Sequence, residues 1–387
     1  MMRHLHHFVR EVHDISVETF DITYDTLAGF GRELLELGES PDRTRQGLVA
    51  ACSVMLATYL ALLLEIQSPW WAAISAFMSL SATGGGSLRR GMLRLTGTIA
   101  GALLGFIMAR WLPYDHFAMY LFIGGVTMLG VIAMQVSPHG LAWMFLSITS
   151  ILVLLEAIAN PLQAASIAYY RTFEVGIGVL SAIVVSNLML GWHREPPPTA
   201  PGWRHLLGAQ WPVVLHGTRA AIAVVAVMAI WMALEISQVV EMAITVAVVM
   251  AAPVVADGGL GTRHAVAVRS LHRLLGCTLG GAVALGFLAL NVESFTWWLA
   301  MIGVAVWVGM HIQVGPHGVG YAGTQAAFAF IVTMIQGEGP PDSIMPGVER
   351  FAGIVGGLAI LMVVSMVLWP SDEEIAEQKA SAQEASE

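Results

Sequence analysis

Apolar residues along the chain gather into twelve runs, at about 46–66, 69–83, 94–112, 116–134, 140–159, 172–192, 218–236, 239–256, 273–290, 295–314, 319–336 and 351–369. A helix that crosses a bilayer needs about 20 consecutive, mostly apolar residues. The runs therefore predict an all-α polytopic membrane protein of about twelve transmembrane helices. The second and eighth runs are short, and the pattern predicts tilted or broken helices there. Between the sixth and seventh runs, WHREPPPTAPGWRHLLGAQWP interrupts the pattern with prolines and charges, which marks residues 193–217 as a linker. Residues 1–43 carry charges throughout, without the continuous apolar core of a signal peptide. They predict one or two cytoplasmic or interfacial helices. Residues 371–387 hold six acids and one base, the composition of a solvated, disordered tail.

Composition sharpens this picture. The 387 residues are 56% apolar and 12% charged, with a mean hydropathy of +0.71, whereas soluble domains carry about 25% charged residues. That excludes an ordinary cytosolic enzyme and a disordered chain. A net charge of −9 speaks against a nucleic-acid partner. There is no HExxH, no nucleophile–base pair and no Walker sequence, so neither an enzyme nor a primary pump is expected, and no cofactor. Cys52 and Cys277 lie in apolar runs as packing residues, outside any metal-ligand spacing.

Arginine placement predicts orientation. Arg43, Arg45, Arg89, Arg90, Arg94, Arg194, Arg204, Arg263, Arg269 and Arg273 all fall on one side if both termini are cytoplasmic. The opposite loops are acidic or neutral, with Glu65, Asp115, Asn160, Glu235, Glu293, Glu338 and Asp342. Arg110 is a mild exception.

The halves also share landmarks in the same order. QVSPHG at 135–140 matches QVGPHG at 313–318, a shift of 178 (313 − 135). RLTGTIAG from Arg94 matches RLLGCTLG from Arg273, and Arg171 matches Arg350, both at a shift of 179 (273 − 94; 350 − 171). Thr44-Arg45 matches Thr218-Arg219. The pattern predicts a duplication, 44–192 and 218–370. Each half has an even number of spans, so the repeats are parallel, and transporters built this way place their substrate path at the repeat interface.

Three segments carry a resemblance to a known family. They are the tryptophan-bearing SPWWAAISAFMSLS, the glycine-rich loop running through GGGSLRRGMLRLTGTIAGALLG, and YYRTFEVGIGVLSAIVVS with Arg171 opening the sixth span. In this order the chain resembles the fusaric acid resistance (FUSC-like), or aromatic acid exporter, family over about 44–370. The resemblance implies a bacterial inner-membrane exporter of aromatic or similar weak acids, energised by the proton gradient. It also implies a small organic anion as substrate and, by analogy, a periplasmic adaptor partner.

Several residues are candidates for that chemistry. An arginine within the apolar zone costs a few kcal/mol unless paired or hydrated, and Arg171 and Arg350 sit at equivalent outer positions. Either they make structural salt bridges, with Glu174 and Glu156 near Arg171 and only Glu349 or Glu338 near Arg350, or they bind the substrate anion. Glu156 is the best single candidate for proton coupling and Glu174 the second, because an arginine beside a buried glutamate biases its protonation. His139 and His317 lie in the paired PHG motifs, read either as repeated turns or as titratable groups at anion-attracting helix starts. Arg45, Arg219, Arg94 and Arg273 open spans 1, 7, 3 and 9, as topological charges or as a vestibule that gathers anions. GTIAGALLG and GCTLGGAVALG are small-residue faces for close helix contact. Trp70, Trp71, Trp297 and Trp298 suit an interface belt. Three functions stay open on the residues alone: a proton-coupled weak-acid exporter, an organic-anion channel, and a non-transport envelope scaffold.

Overall fold

The computed structural model describes residues 2–193, 195–196, 198–206, 208, 210–234, 238–254, 260–290, 294–337, 339, 341 and 343–369. The side chains of residues 2–16, 205 and 260 lie outside that description. Arg194, Glu235, Glu293, Glu338, Asp342 and the acidic tail 371–387 also lie outside it. Among the described residues the fold is all-helical, 83% helix without a strand.

The helices are α1 (Met2–Leu35), α2 (Pro41–Leu63), α3 (Pro69–Ser79), α4 (Gly84–Met108), α5 (His116–Val136), α6 (Gly140–Ala159), α7 (Ala164–Leu190), α8 (Trp211–Leu234), α9 (Val239–Met250), α10 (Leu260–Leu288), α11 (Phe295–Gln313), α12 (Gly320–Met334) and α13 (Met345–Leu368). Nine helices among the described residues are long and apolar enough to cross a membrane. The remaining apolar ones, α3, α9 and α12, have 11, 12 and 15 residues. At 1.5 Å per residue they rise about 16–23 Å, short of the ~30 Å hydrocarbon core.

Local chemistry sets several helix starts. Ser40 caps α2 by accepting the Arg43 N–H, with Pro41 in the first turn. Thr83 accepts the Gly86 N–H at the start of α4, and Asp115 accepts the Ala118 N–H at α5. The Thr83 cap moves the start of α4 forward to Gly84, so the glycine-rich stretch expected as a loop is its first turns. Likewise α7 and α13 begin before Arg171 and Arg350, which lie inside their helices instead of opening them. Arg94, Arg219 and Arg273 are also well inside α4, α8 and α10. Apolar runs locate the span but not the polar helical turns that extend it.

Helix contacts come in corresponding pairs. In the first half α4 packs on α6, α5 on α6, and α2 and α3 on each other and on α7. Six helices on, α10 packs on α12, α11 on α12, and α8 and α9 on each other and on α13. Across the middle, α2 meets α11 and α5 meets α8. Two apolar clusters result, and both draw on both halves. One joins α2, α3 and α7 to α11 and α12, the other α8, α9 and α13 to α5 and α6. One pairing differs: α4 lies along α7, whereas α10 meets α13 over a much shorter stretch.

The small-residue faces do what their pattern predicts. A Cβ at Gly97 would strike the Ala142 carbonyl oxygen, and one at Gly276 the Ala322 carbonyl oxygen. Glycine there lets α4 ride on α6, and α10 on α12, at backbone contact. The tryptophan belt is corrected in part. Trp297 is exposed, but Trp298 is buried and donates its Nε1–H to the Met334 carbonyl at 2.9 Å.

Candidate functional site

Two arginine nodes occupy corresponding places in the two halves. In the first, Arg171 of α7 is buried, and both arms of its fork are bound. Nη1 donates to Glu174 Oε2 at 3.1 Å, one turn on, and Nη2 to both oxygens of Glu156 on α6, at 3.3 and 3.4 Å. The guanidinium also lies 4.4 Å from the ring of Trp71 on α3, a cation–π contact. The second Glu174 oxygen accepts the Ser68 N–H at the start of α3, at 3.1 Å. The expected salt bridge between the fifth and sixth spans is therefore present, and Trp71 is a lid on it instead of a belt residue. One turn along α3, Ser75 Oγ accepts from Arg94 Nη2 at 3.0 Å, and the Arg94 guanidinium lies 4.1 Å from the Phe145 ring. Arg94 has no carboxylate partner among the described residues, and its buried Nε lacks any partner there.

In the second node one acid serves two arginines. Arg273 of α10 donates to Glu241 Oε1 at 3.0 Å, to Gln325 Oε1 at 2.8 Å and to Thr245 Oγ1 at 3.0 Å. Arg350 of α13 places its Nε 3.6 Å from that same Glu241 oxygen. The expected partners of Arg350 are corrected: Glu349 is exposed, Glu338 lies outside the described residues, and Glu241 of α9 takes the role. Among the described residues, the first node holds two arginines and two glutamates, and the second two arginines and one glutamate.

The other candidates separate from these nodes. Arg45 is exposed and donates to the Met189 carbonyl oxygen. Its counterpart Arg219 is buried against the Trp369 ring, 4.5 Å away. His139 is exposed at the N-cap of α6. His317 is held by α1, with Nε2 2.8 Å from Glu36 Oε1 and its N–H donating to Glu33 Oε1 at 3.0 Å. Glu33 is fully buried and pairs with Arg43. The PHG motifs thus sit in different surroundings, and Arg94 and Arg273 are interior charges instead of mouth charges.

Sequence reasoning missed Glu241, although a signal was present: it is the one charged residue in the run 239–256. Glu33 and Glu195 carried no such signal, since both lie in polar stretches. Glu195 accepts from Thr83 Oγ1 at 2.7 Å and Ser81 Oγ at 3.2 Å, over the start of α4. Among the described residues no three His, Cys, Asp or Glu side chains are grouped to hold a metal ion.

Membrane-length helices around buried arginines define an integral membrane protein with charged side chains in its interior. Residues 45–197 match the fusaric acid resistance protein family (FUSC), so the resemblance expected from the sequence is shown for that part of the chain. A stretch of 161 residues is 28% identical to an uncharacterized transporter of Gluconobacter oxydans, covering 38% of this chain and 22% of that protein. Stretches of 151 residues are 26% identical to the p-hydroxybenzoic acid efflux pump subunit AaeB of Citrobacter koseri and of Salmonella paratyphi A, covering 36% of this chain and 23% of each relative. The matches thus span less than a quarter of these relatives' own length. No solved structure matches the chain.

Proposed function

We propose that the chain is a secondary transporter that exports aromatic or related weak organic acids across the bacterial inner membrane, driven by the proton gradient. The observation that carries this reading is the family match over 45–197, together with relatives named as p-hydroxybenzoic acid efflux pump subunits. We read 44–192 and 218–370 as two parallel six-helix repeats, 193–217 as their cytoplasmic linker and 1–43 as a cytoplasmic helical segment. The shared sequence landmarks and the corresponding helix pairings support that division. The substrate path then runs between the repeats, past the arginine nodes. The word "subunit" in the relatives' name supports an adaptor protein as partner.

Arginines 171 and 350 select for carboxylates because a guanidinium matches a carboxylate with two parallel hydrogen bonds. Glu156, half-exposed beside Arg171, is the coupling acid in this scheme. When protonated it releases Arg171 to an anion, and when ionised it competes with that anion. Glu174 holds the arginine in place meanwhile. An anion channel on the same scaffold would need the arginines and no coupling acid.

Efflux from cells lacking their own acid exporters tests the reading. Cells preloaded with labelled 4-hydroxybenzoate or fusaric acid are expected to export it uphill, and an uncoupler is expected to stop export. Glu156→Gln abolishes uphill export and leaves downhill flux. Uncoupler-insensitive passive leak would instead make the protein a channel. Arg171→Gln and Arg350→Gln each lower transport in folded protein, and normal activity in both would remove the carboxylate-binding role.

A further inference from the structure

The looser contact between α10 and α13 leaves a cavity of about 270 Å³ between α10, α12 and α13. Its walls include Cys277, Gly281, Thr333, Gly347 and Phe351, and Arg350 enters from one side. The corresponding space in the first half is filled. Gly281, Leu285, Thr333 and Gly347 correspond to Ala102, Phe106, Val153 and Ala168, at shifts of 179 or 180 (281 − 102; 333 − 153). Those four pack into one apolar cluster, together with Trp71 and Ile167. All four wall residues are thus smaller or more polar on the cavity side.

The two arginines differ in the same sense. Arg171 spends both arms of its fork on carboxylates and leaves 8% of its side chain exposed. Arg350 leaves 19% exposed and makes no hydrogen bond to any described residue, its one ion pair being the 3.6 Å approach of Nε to Glu241. That glutamate is already hydrogen-bonded to Arg273. Among the described residues the second node therefore keeps one more arginine than glutamate, with the Arg350 guanidinium at the wall of a mostly apolar cavity.

We propose that this cavity, set within the second half beside the path between the repeats, is a substrate pocket, and that it takes a single-ring aromatic monocarboxylate whose carboxylate lies on Arg350. The proposal rests on the exporter reading and narrows it. A cavity of about 150 Å³ takes one benzene ring, so a space of about 270 Å³ has room for a substituted single ring. A guanidinium binds a carboxylate through two parallel hydrogen bonds, Phe351 offers a ring face or edge, and Thr333 offers a hydroxyl to a ring substituent. A second carboxylate would be buried against apolar wall without a partner, which is costly. Dicarboxylates such as malate are therefore rejected.

The test uses the purified full chain and labelled 4-hydroxybenzoate in equilibrium dialysis. Wild type is expected to bind saturably, without competition from malate. Gly281→Leu is the informative variant, because Gly281 lines the cavity and a Cβ there meets no atom within 4 Å, so the added side chain starts into open space. Gly281→Leu and Arg350→Gln are expected to weaken binding at least tenfold. In a Cys52→Ser background, 4-hydroxybenzoate is expected to slow modification of Cys277 by a small thiol reagent. Native mass spectrometry of wild type and Gly281→Leu reports on lipid. A phospholipid retained by the first and lost by the second, with 4-hydroxybenzoate binding unchanged, makes the cavity a lipid site and overturns the proposal. Full aromatic-acid efflux by cells carrying Gly281→Leu or Arg350→Gln also overturns it while leaving the exporter reading intact. Absence of aromatic-acid efflux from wild-type cells overturns both.

Discussion

The first arginine node is closed and the second is open. Around Arg171, Glu156, Glu174 and the Trp71 ring account for both arms and one face of the guanidinium. Around Arg350, one glutamate is shared with Arg273, and the space beside it is empty of side chains. Corresponding helices hold both nodes, so the difference comes from a few side chains. Trp71 corresponds to Glu241 (241 − 71 = 170), as Ser75 does to Thr245, and Phe145 to Gln325 (325 − 145 = 180). Glu156 and Glu174 correspond to Gln336 and Gly353. Helices paired alike thus carry different charge arrangements: one half locks its arginine with two acids, while among the described residues the other shares one acid between two arginines.

The comparison is broken or sharpened by substitution, and the largest effect is expected at Glu241. Glu241→Gln strips two inward-facing arginines of their shared acid. Removing one partner of a buried ion pair costs about 3–5 kcal/mol, and equilibrium unfolding of the purified protein in mild detergent should report a loss of that order. A loss below about 1 kcal/mol would mean that Gln325 and Thr245 hold Arg273 by themselves.

Next in size are paired insertions at the helix contacts that the halves share. Gly97→Leu and Gly276→Leu drive a side chain into the Ala142 and Ala322 carbonyls respectively, and overpacking of this kind costs about 1–3 kcal/mol. The two losses should be alike, because these contacts, unlike the nodes, are equivalent. A wide disparity would show that the scaffold itself is asymmetric.

Smaller again is the contrast between the PHG histidines. His317→Ala removes a hydrogen bond to Glu36, in the turn just after α1, worth about 1 kcal/mol, and should speed limited proteolysis of α1. His139→Ala, at an exposed cap, should leave the cleavage rate unchanged.

The smallest effect on stability belongs to Glu156→Gln. Glu156 is 34% exposed, and pairs open to solvent contribute about 0–1 kcal/mol. Arg171 keeps Glu174 in this variant. A loss as large as that of Glu241→Gln would abolish the distinction between the nodes, whatever Glu156 does in transport.

Much of the scaffold was legible beforehand. Each of the twelve apolar runs contains a helix, because a sustained apolar run has few other ways to satisfy its backbone in lipid. The glycine faces and the Arg171–Glu156 and Arg171–Glu174 pairs were readable from spacing alone. Helix starts were not: polar first turns at Gly84, Ala164 and Met345 carry no apolar signal, so arginines expected at helix mouths lie within the bundle. The partner of Arg350 was hidden for a different reason. Glu241 is 109 positions away (350 − 241), and nothing in a linear pattern reports which distant helices touch.

By itself, then, the sequence determined the membrane solvent, the helical content, the order of the helices and the recurrence of landmarks between the halves. These follow from local composition and period, which each segment carries with it. Tertiary structure alone decided which acid meets which arginine, that α1 fastens to His317 and not to His139, and that α10 and α13 part where α4 and α7 close. Those outcomes depend on side-chain volume and charge brought together from helices far apart in the chain. A change from Val153 to Thr333, or from Ala168 to Gly347, is slight along the sequence and becomes a cavity only where three helices converge.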